Sequence, residues 1–333
     1  MEWPETCSIA ESDALFICAA DGTTQLDGGS NAEVHRATLR GVIVAAKRFH
    51  ILERPQAYGL TSGSTLERVK DEIVREVHAL AELGEHDHVV GFRCVVTGSC
   101  IINHMRVEGL PKWLCMEYCS GGSLHRHIYP DGESNVIALT IVEVARILRE
   151  AAMGLAFIHE HDFIHRDIKP KNIMIADHGV VKIGDLGLAR VVRDIGSVMS
   201  QPLSLCGTPV YNAPEVNETR DGAATKYGPP RDMYAFGITA MEMVLRTPPK
   251  RTHTLRLEQV ERACEMQPRL EGIIKRCTWA DPARRATAAQ MVTAIARLVP
   301  EAVPDIGGAA ASKRSATTDF DPNEPPKDFC CPI

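Results

Sequence analysis

The sequence predicts an α+β protein of two lobes, a small strand-rich lobe with one helix followed by a larger helical lobe. Three observations predict it. Up to about residue 118, apolar and polar positions alternate in short runs rich in β-branched residues, the period of half-buried strands. Beyond that point apolar residues recur at helical spacing as far as residue 299. Between the two regimes stands Ser120-Gly121-Gly122-Ser123, a turn sequence that marks the lobe boundary.

The small lobe opens with residues 24–49, alternating around Gly28-Gly29, and Val42 to Phe49 reads as a strand carrying Lys47. Ser64-Thr65-Leu66-Glu67 has the form of a capping box, in which a hydroxyl and a carboxylate satisfy amides left open by a first helical turn. Leu66, Val69, Ile73, Val77, Leu80 and Leu83 then follow on one face, with Glu76 close to it, until Gly84 ends the helix. Strand-like runs return at Val89–Val96, Cys100–Val107 and Trp113–Tyr118. In the large lobe a second capping box, Thr140-Ile141-Val142-Glu143, leads a long helix through Ile147, Leu148, Leu155 and Ile158. Further helices are predicted at 231–246, 255–277 and 287–298. From about Pro300 the composition turns to Gly, Ala, Ser, Pro and charge, which predicts disorder. The domain plan is an N-terminal extension over 1–21, the small lobe over 22–118, the large lobe over 119–299 and a tail over 300–333.

With 333 residues and 44% hydrophobic content, the chain can bury a sizeable core, which excludes a wholly disordered protein. A formal net charge of −6 without a basic patch argues against a nucleic-acid partner. Eleven scattered cysteines without paired metal spacing predict free thiols in a reducing compartment. The start, Met1-Glu2-Trp3-Pro4-Glu5, lacks a basic n-region, and no apolar run approaches the ~18–20 residues of a membrane span, so a soluble, cytoplasmic protein is expected.

The chemistry concentrates in His165-Arg166-Asp167-Ile168-Lys169-Pro170-Lys171-Asn172 and, shortly after, Asp185-Leu186-Gly187. Phosphoryl transfer asks a protein mainly for placed cations and an oriented nucleophile. A carboxylate to accept a hydroxyl proton, a lysine, and an amide and a carboxylate to hold metal meet that need. The two segments resemble the catalytic loop and metal-binding segment of eukaryotic protein kinases. The resemblance covers roughly residues 22–299 and implies the bilobal protein-kinase fold, ATP and Mg2+ as cofactors, and protein substrates as partners. It makes Asp167 the base, Lys169 the contact to the transferring phosphate, and Asn172 and Asp185 the magnesium ligands.

By the same resemblance Lys47, in Val44-Ala45-Ala46-Lys47, holds the nucleotide phosphates, with Glu76 as its partner. Gly29 and Val34 belong to the phosphate-covering loop, and Ala45 and Met174 to the nucleotide site. Met116-Glu117-Tyr118-Cys119 resembles the hinge, with Met116 as gatekeeper. Glu117 and Cys119 meet adenine through their main chains, and Ser123 the ribose. The stretch Gly207-Thr208-Pro209 to Ala213-Pro214-Glu215 looks like the end of an activation segment, with Glu215 paired to Arg285. Asp232 braces the catalytic loop from a buried helix. Leu80, Phe92, His165 and Leu186 match the stack that joins the lobes, which makes His165 a packed core residue. Lys169 and Thr208 point to the serine/threonine type, and Cys277-Thr278-Trp279 is similar to its tyrosine-kinase-like group.

The chain departs from the family in the phosphate loop, Asp27-Gly28-Gly29-Ser30-Asn31-Ala32-Glu33-Val34, where Asp27 and Ala32 stand at glycine positions. A like charge ~8 Å from the triphosphate at an effective dielectric of ~40 costs about 1 kcal/mol, which weakens nucleotide binding without abolishing it. Two functions therefore stand at this level, an active kinase and a pseudokinase scaffold, and the retained set Lys47, Glu76, Asp167, Asn172 and Asp185 favours the first. Arg166 is available to pair with a phosphate on Ser197, Ser200 or Ser204. The final Cys330-Cys331-Pro332-Ile333 has the cysteine placement of a prenylation box, so membrane association is expected only if Cys330 is lipidated.

Overall fold

Lys47 lies in the middle of the small lobe because two neighbouring strands fix its register. Strand β4 (Glu33–Leu39) and strand β5 (Val42–Arg48) pair antiparallel, with Val34 opposite Lys47. On its other side β5 pairs with β7 (Met105–Glu117), which sets Ala45 opposite Met116. Directly opposed residues share a face, as do residues two apart along a strand. Val34, Ala45, Lys47 and Met116 therefore stand on one face of one sheet. The full order is β1-β6-β7-β5-β4-β2, with β3 (Gln25–Gly28) also on β4; β1 is Ser8–Ala10, β2 Phe16–Ile17 and β6 Phe92–Ile102. This is a computed structural model, and it describes residues 8–10, 16–17, 25–28, 33–48, 74, 77–102, 105–130, 139–186, 189–191, 207–217 and 228–298.

The sheet uses its two faces differently. Val95, Leu114 and Met116 join the main core with Val77, Leu80 and Leu83 of helix α1 (residues 77–83). Val44, Ala46, Cys94, Val96, Trp113 and Cys115 form a second, smaller core on the opposite face. The main core continues without a break into the large lobe, where helix α3 (Ile141–Glu160) contributes Leu148, Leu155 and Ile158, all fully buried. The capping box of α3 is made as the sequence predicts: Glu143 N donates to Thr140 Oγ1 at 3.2 Å and Thr140 N to the Glu143 carboxylate at 2.7 Å. The bond from Thr140 N and, after it, one from Thr140 Oγ1 at 2.8 Å hold the Glu143 carboxyl below the usual range.

Short strands and a short helix complete the frame of the cleft. The short strand β8 (Gly122–Ser123) runs into helix α2 (Leu124–Ile128). It pairs with β10 (Ile173–Ile175), which pairs in turn with β11 (Val181–Ile183); β9 (Phe163–Ile164) pairs with β12 (Arg190–Val191). After the short helix α4 (Pro214–Asn217) comes α5 (Pro230–Leu245), buried on every side from Arg231 to Met243 and so the centre of the large lobe. Helices α6 (His253–Met266) and α7 (Glu271–Thr278) pack against it, and α8 (Ala288–Leu298) packs on α3. No helix among the described residues is long and apolar enough to cross a membrane.

The lobes meet where residues 88–90 lie against β11, with Ile183 N donating to His88 O at 2.9 Å and Val90 N to Ile183 O at 2.8 Å. Helix α3 passes so close beneath that a Cβ on Gly154 would stand 2.2 Å from His88 O.

Several expectations need correction. The three runs 89–96, 100–107 and 113–118 are two long strands, β6 and β7. Pro111 does not end β7, because β5 pairs β7 only from Trp113 onward and the register with β6 shifts between Val96 and Thr97. The helix expected over 255–277 is two helices, α6 and α7, separated by a 3-10 turn at Pro268–Leu270, where proline lacks the amide that a continuing helix needs. Residues 8–10 and 16–17, assigned to an extension, add strands to both sides of the small sheet. Gly29, Ala32, Glu76, Ser197, Ser200, Ser204, the capping box at Ser64, the side chain of Asp27 and the tail with Cys330 lie outside the described residues.

Substituting Gly154 with Ala should cost about 1–3 kcal/mol by overpacking against a backbone that has little room to yield. Gly272, in α7, has nothing within 4 Å of the place a Cβ would occupy, and should accept Ala with no loss. Thermal unfolding of the two variants side by side checks the contrast.

Candidate active site

Asp232 sits near the start of α5 and is 1% exposed. Its two carboxylate oxygens accept from the main chain of the catalytic loop, Oδ2 from His165 N at 2.8 Å and Oδ1 from Arg166 N at 2.8 Å. His159 Nε2, from the last turn of α3, donates to Oδ2 at 2.9 Å. Burial disfavours the charge, but the bond from His159, its positive potential and the loop amides outweigh it and hold the carboxyl below the usual range. This clamp is needed because Arg166 has φ 73°, a left-handed conformation unfavourable for a bulky side chain. Gly207, at φ 94°, packs over the same bend, where a Cβ would lie 2.6 Å from Arg166 O.

His165 is fully buried and joins two segments. Its Nε2 is 2.9 Å from Gly184 O, and its Nδ1 accepts from Asp167 N at 3.3 Å. A carbonyl can only accept, so Nε2 carries the proton and Nδ1 the lone pair. The residue is a packing and positioning group, as the resemblance implies. Leu80 and Leu186 lie in one core with Phe92 packed against it, which completes the expected stack.

The bend directs Asp167 toward Thr208. Asp167 Oδ1 accepts from Thr208 N and from Thr208 Oγ1, both at 2.9 Å, and Oδ2 accepts from Lys169 Nζ at 2.6 Å. Lys169 Nζ also donates to Thr208 Oγ1 at 2.7 Å, which closes a triangle. Asn172 Nδ2 donates to Asp167 O at 2.8 Å and to Oδ2 at 3.0 Å. Asp167 is 9% exposed and already holds donors around both oxygens, so its carboxylate is oriented before any substrate arrives.

Across the cleft Lys47 Nζ donates to Asp185 Oδ1 at 3.1 Å, which unites two residues far apart in sequence. The ammonium, more than any other group, holds the Asp185 carboxyl below the usual range. Half of the Asp185 side chain is open to the cleft, so the pair contributes at most about 1 kcal/mol to stability. Its value is placement. Asp185 takes φ 58°, which aspartate tolerates better than most residues. Among the described residues no three His, Cys, Asp or Glu side chains gather as a metal site on their own. Asp185 and Asn172 do offer hard oxygen ligands, because Asn172 commits its amide nitrogen to Asp167 and keeps its amide oxygen. Such a pair suits magnesium, with phosphate and water oxygens completing the shell.

In the hinge, Met116 is buried and faces the same side as Ala45 and Lys47, and Met174 lies opposite Ser123 across the β10–β8 pair. Glu117 also has a structural task in its side chain. Its carboxylate accepts from Lys182 Nζ at 3.0 Å and from Gly91 N at 3.1 Å, binding the hinge to β11 and to the inter-lobe loop. Burial, then the Glu117 charge, pushes the Cys119 thiol up to about 12. Sequence reasoning also missed Arg126, whose Nη2 donates to Leu26 O at 2.9 Å across the mouth of the cleft, and the role of His159. No local pattern announces either, since each acts on a partner distant in sequence. The Glu215–Arg285 pair forms as expected, bidentate at 2.6 and 2.8 Å.

With this geometry in view, comparison with known proteins is decisive. The family model of the protein kinase domain matches residues 23–294. The chain belongs to that family. The kinase domain is similar to serine/threonine-protein kinase TAO2 of Homo sapiens, 34% identical over 191 residues, covering 56% of this chain and 13% of TAO2. Serine/threonine-protein kinase dst1 of Dictyostelium discoideum is 33% identical over 238 residues, 68% of this chain and 29% of dst1. Serine/threonine-protein kinase 1 of Arabidopsis thaliana is 30% identical over 281 residues, 80% of this chain and 29% of that protein. The chain thus spans less than a third of the length of these relatives.

Two outcomes test the site. Asp232→Ala leaves buried amides without an acceptor and should cost about 3–5 kcal/mol in denaturant unfolding. Because the folded carboxyl titrates below its unfolded value of ~3.9, the stability it contributes is complete above that value and is lost as pH falls through the lower, folded one. Asp232→Asn should therefore flatten the acid limb of the stability curve. Separately, Cys119 should resist iodoacetamide at neutral pH in the folded kinase domain and react on unfolding, as followed by peptide mass mapping.

Proposed function

We propose that this kinase domain is an active serine/threonine protein kinase that transfers the γ-phosphoryl group of ATP, with magnesium, to hydroxyls of protein substrates. The observation that carries the reading is the Asp167–Lys169–Thr208 triangle beside the Lys47–Asp185 pair: an oriented carboxylate next to two cations in one cleft. When bound, magnesium and ATP supply the transferable phosphoryl group and the cation that offsets its charge.

The chain's own groups divide the remaining tasks. Asp167 accepts the proton of the substrate hydroxyl; its oxygens are held by Thr208 and Asn172, so the carboxylate does not have to reorient during reaction. Lys169, between Asp167 and Thr208, places a positive charge where negative charge develops. Lys47 positions the phosphates, and Asp185 with Asn172 holds the metal. Val34, Ala45, Met116 and Met174 provide the apolar walls of the nucleotide site, and the main chain at Glu117 and Cys119 its polar edge. Thr208 beside the base suits a serine or threonine acceptor, the class that the names of the relatives carry.

Incubation with labelled ATP, magnesium and a peptide array should give phosphoserine or phosphothreonine. Asp167→Asn should lower kcat by about 10²–10⁴-fold with the fold intact, and Asp185→Ala should abolish magnesium-dependent transfer. Folded wild-type protein that binds ATP without transferring phosphate to any peptide would instead establish the scaffold reading, with Asp27 as the first residue to replace by glycine.

A further inference from the structure

The second core of the small lobe contains a pair of thiols that the phosphotransfer site does not use. Cys94 on β6 and Cys115 on β7 are direct partners across an antiparallel strand pair, the first of a regular run with Val95–Leu114 and Val96–Trp113 that follows a register shift after Phe92. Opposed residues in such a pair have Cα atoms about 4.5 or 5.5 Å apart, depending on the hydrogen-bonding register, and both values fall within the ~4.4–6.8 Å that a disulfide spans. Both side chains lie buried on one face of the sheet, among Val44, Ala46, Val96 and Trp113, and both are free thiols. Register and shared face place them for a cross-strand bridge.

We propose that Cys94 and Cys115 form a redox-active dithiol that a peroxide converts into a cross-strand disulfide. The first step falls to Cys94. It keeps 4% exposure where Cys115 has none, and Cys115 beside it as a donor favours the Cys94 thiolate, while that role and then burial push the Cys115 thiol up. The Cys94 thiolate attacks one peroxide oxygen, the O–O bond breaks, and the departing hydroxide takes a proton to leave as water. Cys115 Sγ then attacks the sulfenic sulfur on Cys94 as its own proton is lost. The S–O bond breaks and a second water leaves. The two thiols together lose two electrons, and the peroxide is reduced to two waters.

The remaining described thiols differ in kind. Burial pushes Cys119, Cys264 and Cys277 up to about 12 each, with no thiol among the hydrogen-bond or charge partners that shift them. The dithiol also lies on the face opposite Lys47, Ala45 and Met116, so the bridge can close without entering the nucleotide site. Its assignment does not rest on the kinase reading.

The test treats the full chain, folded and reduced, with hydrogen peroxide in small excess, blocks remaining thiols after denaturation and maps peptides without reduction. The expected product is one linked peptide joining Cys94 to Cys115, lighter by two hydrogens and returned to two thiols by dithiothreitol. In Cys94→Ser, and in Cys94→Ala if the serine does not fold, Cys115 should be recovered as free thiol. Recovery of both cysteines unlinked from the wild-type protein after other thiols have oxidised overturns the proposal. So does linkage of either one to a different cysteine, or conversion of Cys94 to a sulfinic acid with Cys115 still reduced.

Discussion

The buried carboxylate of Asp232 is the constraint on which the rest of the site depends. It stands on a helix enclosed by the large lobe, so it is as immobile as the core itself. From there it holds two consecutive amides of the catalytic loop and with them the left-handed turn at Arg166. That turn sends His165 inward to Gly184 and Asp167 outward to Thr208. A single anion thus sets Asp167, ties its loop to the Gly184–Asp185 segment and anchors both to the stable part of the fold. The arrangement costs desolvation of a charge, which His159 and the loop amides offset.

The cleft is built on the contrary principle. Lys47 and Asp185 come from different lobes and meet at a half-open position, where an ion pair is worth little to stability. Such a contact can open for a ligand at small cost. Glu117 with Lys182, and Arg126 with the carbonyl of Leu26, are further polar bonds across the same junction. The apolar connection, by contrast, is continuous through Leu80 and Leu186. Packing holds the lobes in contact, and exchangeable polar bonds line the opening between them.

The two faces of the small sheet follow from alternation along β5 and β7, and on β6 a register shift between Phe92 and Cys94 sends those two residues to different cores. One face joins the main core and presents Lys47 to the cleft. The other carries a separate core in which two cysteines oppose each other. Period-two geometry separates these roles within single strands, so that Cys115 and Met116, neighbours in sequence, belong to different chemistries.

The sequence by itself determined the family and the order of the elements. The spacing of Asp167, Lys169, Asn172 and Asp185 is local, and so are the capping box at Thr140 and the alternation around Lys47; local patterns survive without coordinates because they are dictated by turn and backbone geometry. Tertiary structure alone decided how distant parts meet: that Glu117 uses its side chain, that His159 and Arg126 take part, that residues 8–10 complete the sheet edge, and that Cys94 faces Cys115. Each depends on register or on close approach between segments far apart in the chain. A one-residue change of register would send every one of those strand side chains to the other face, and no stretch of sequence read alone carries that information.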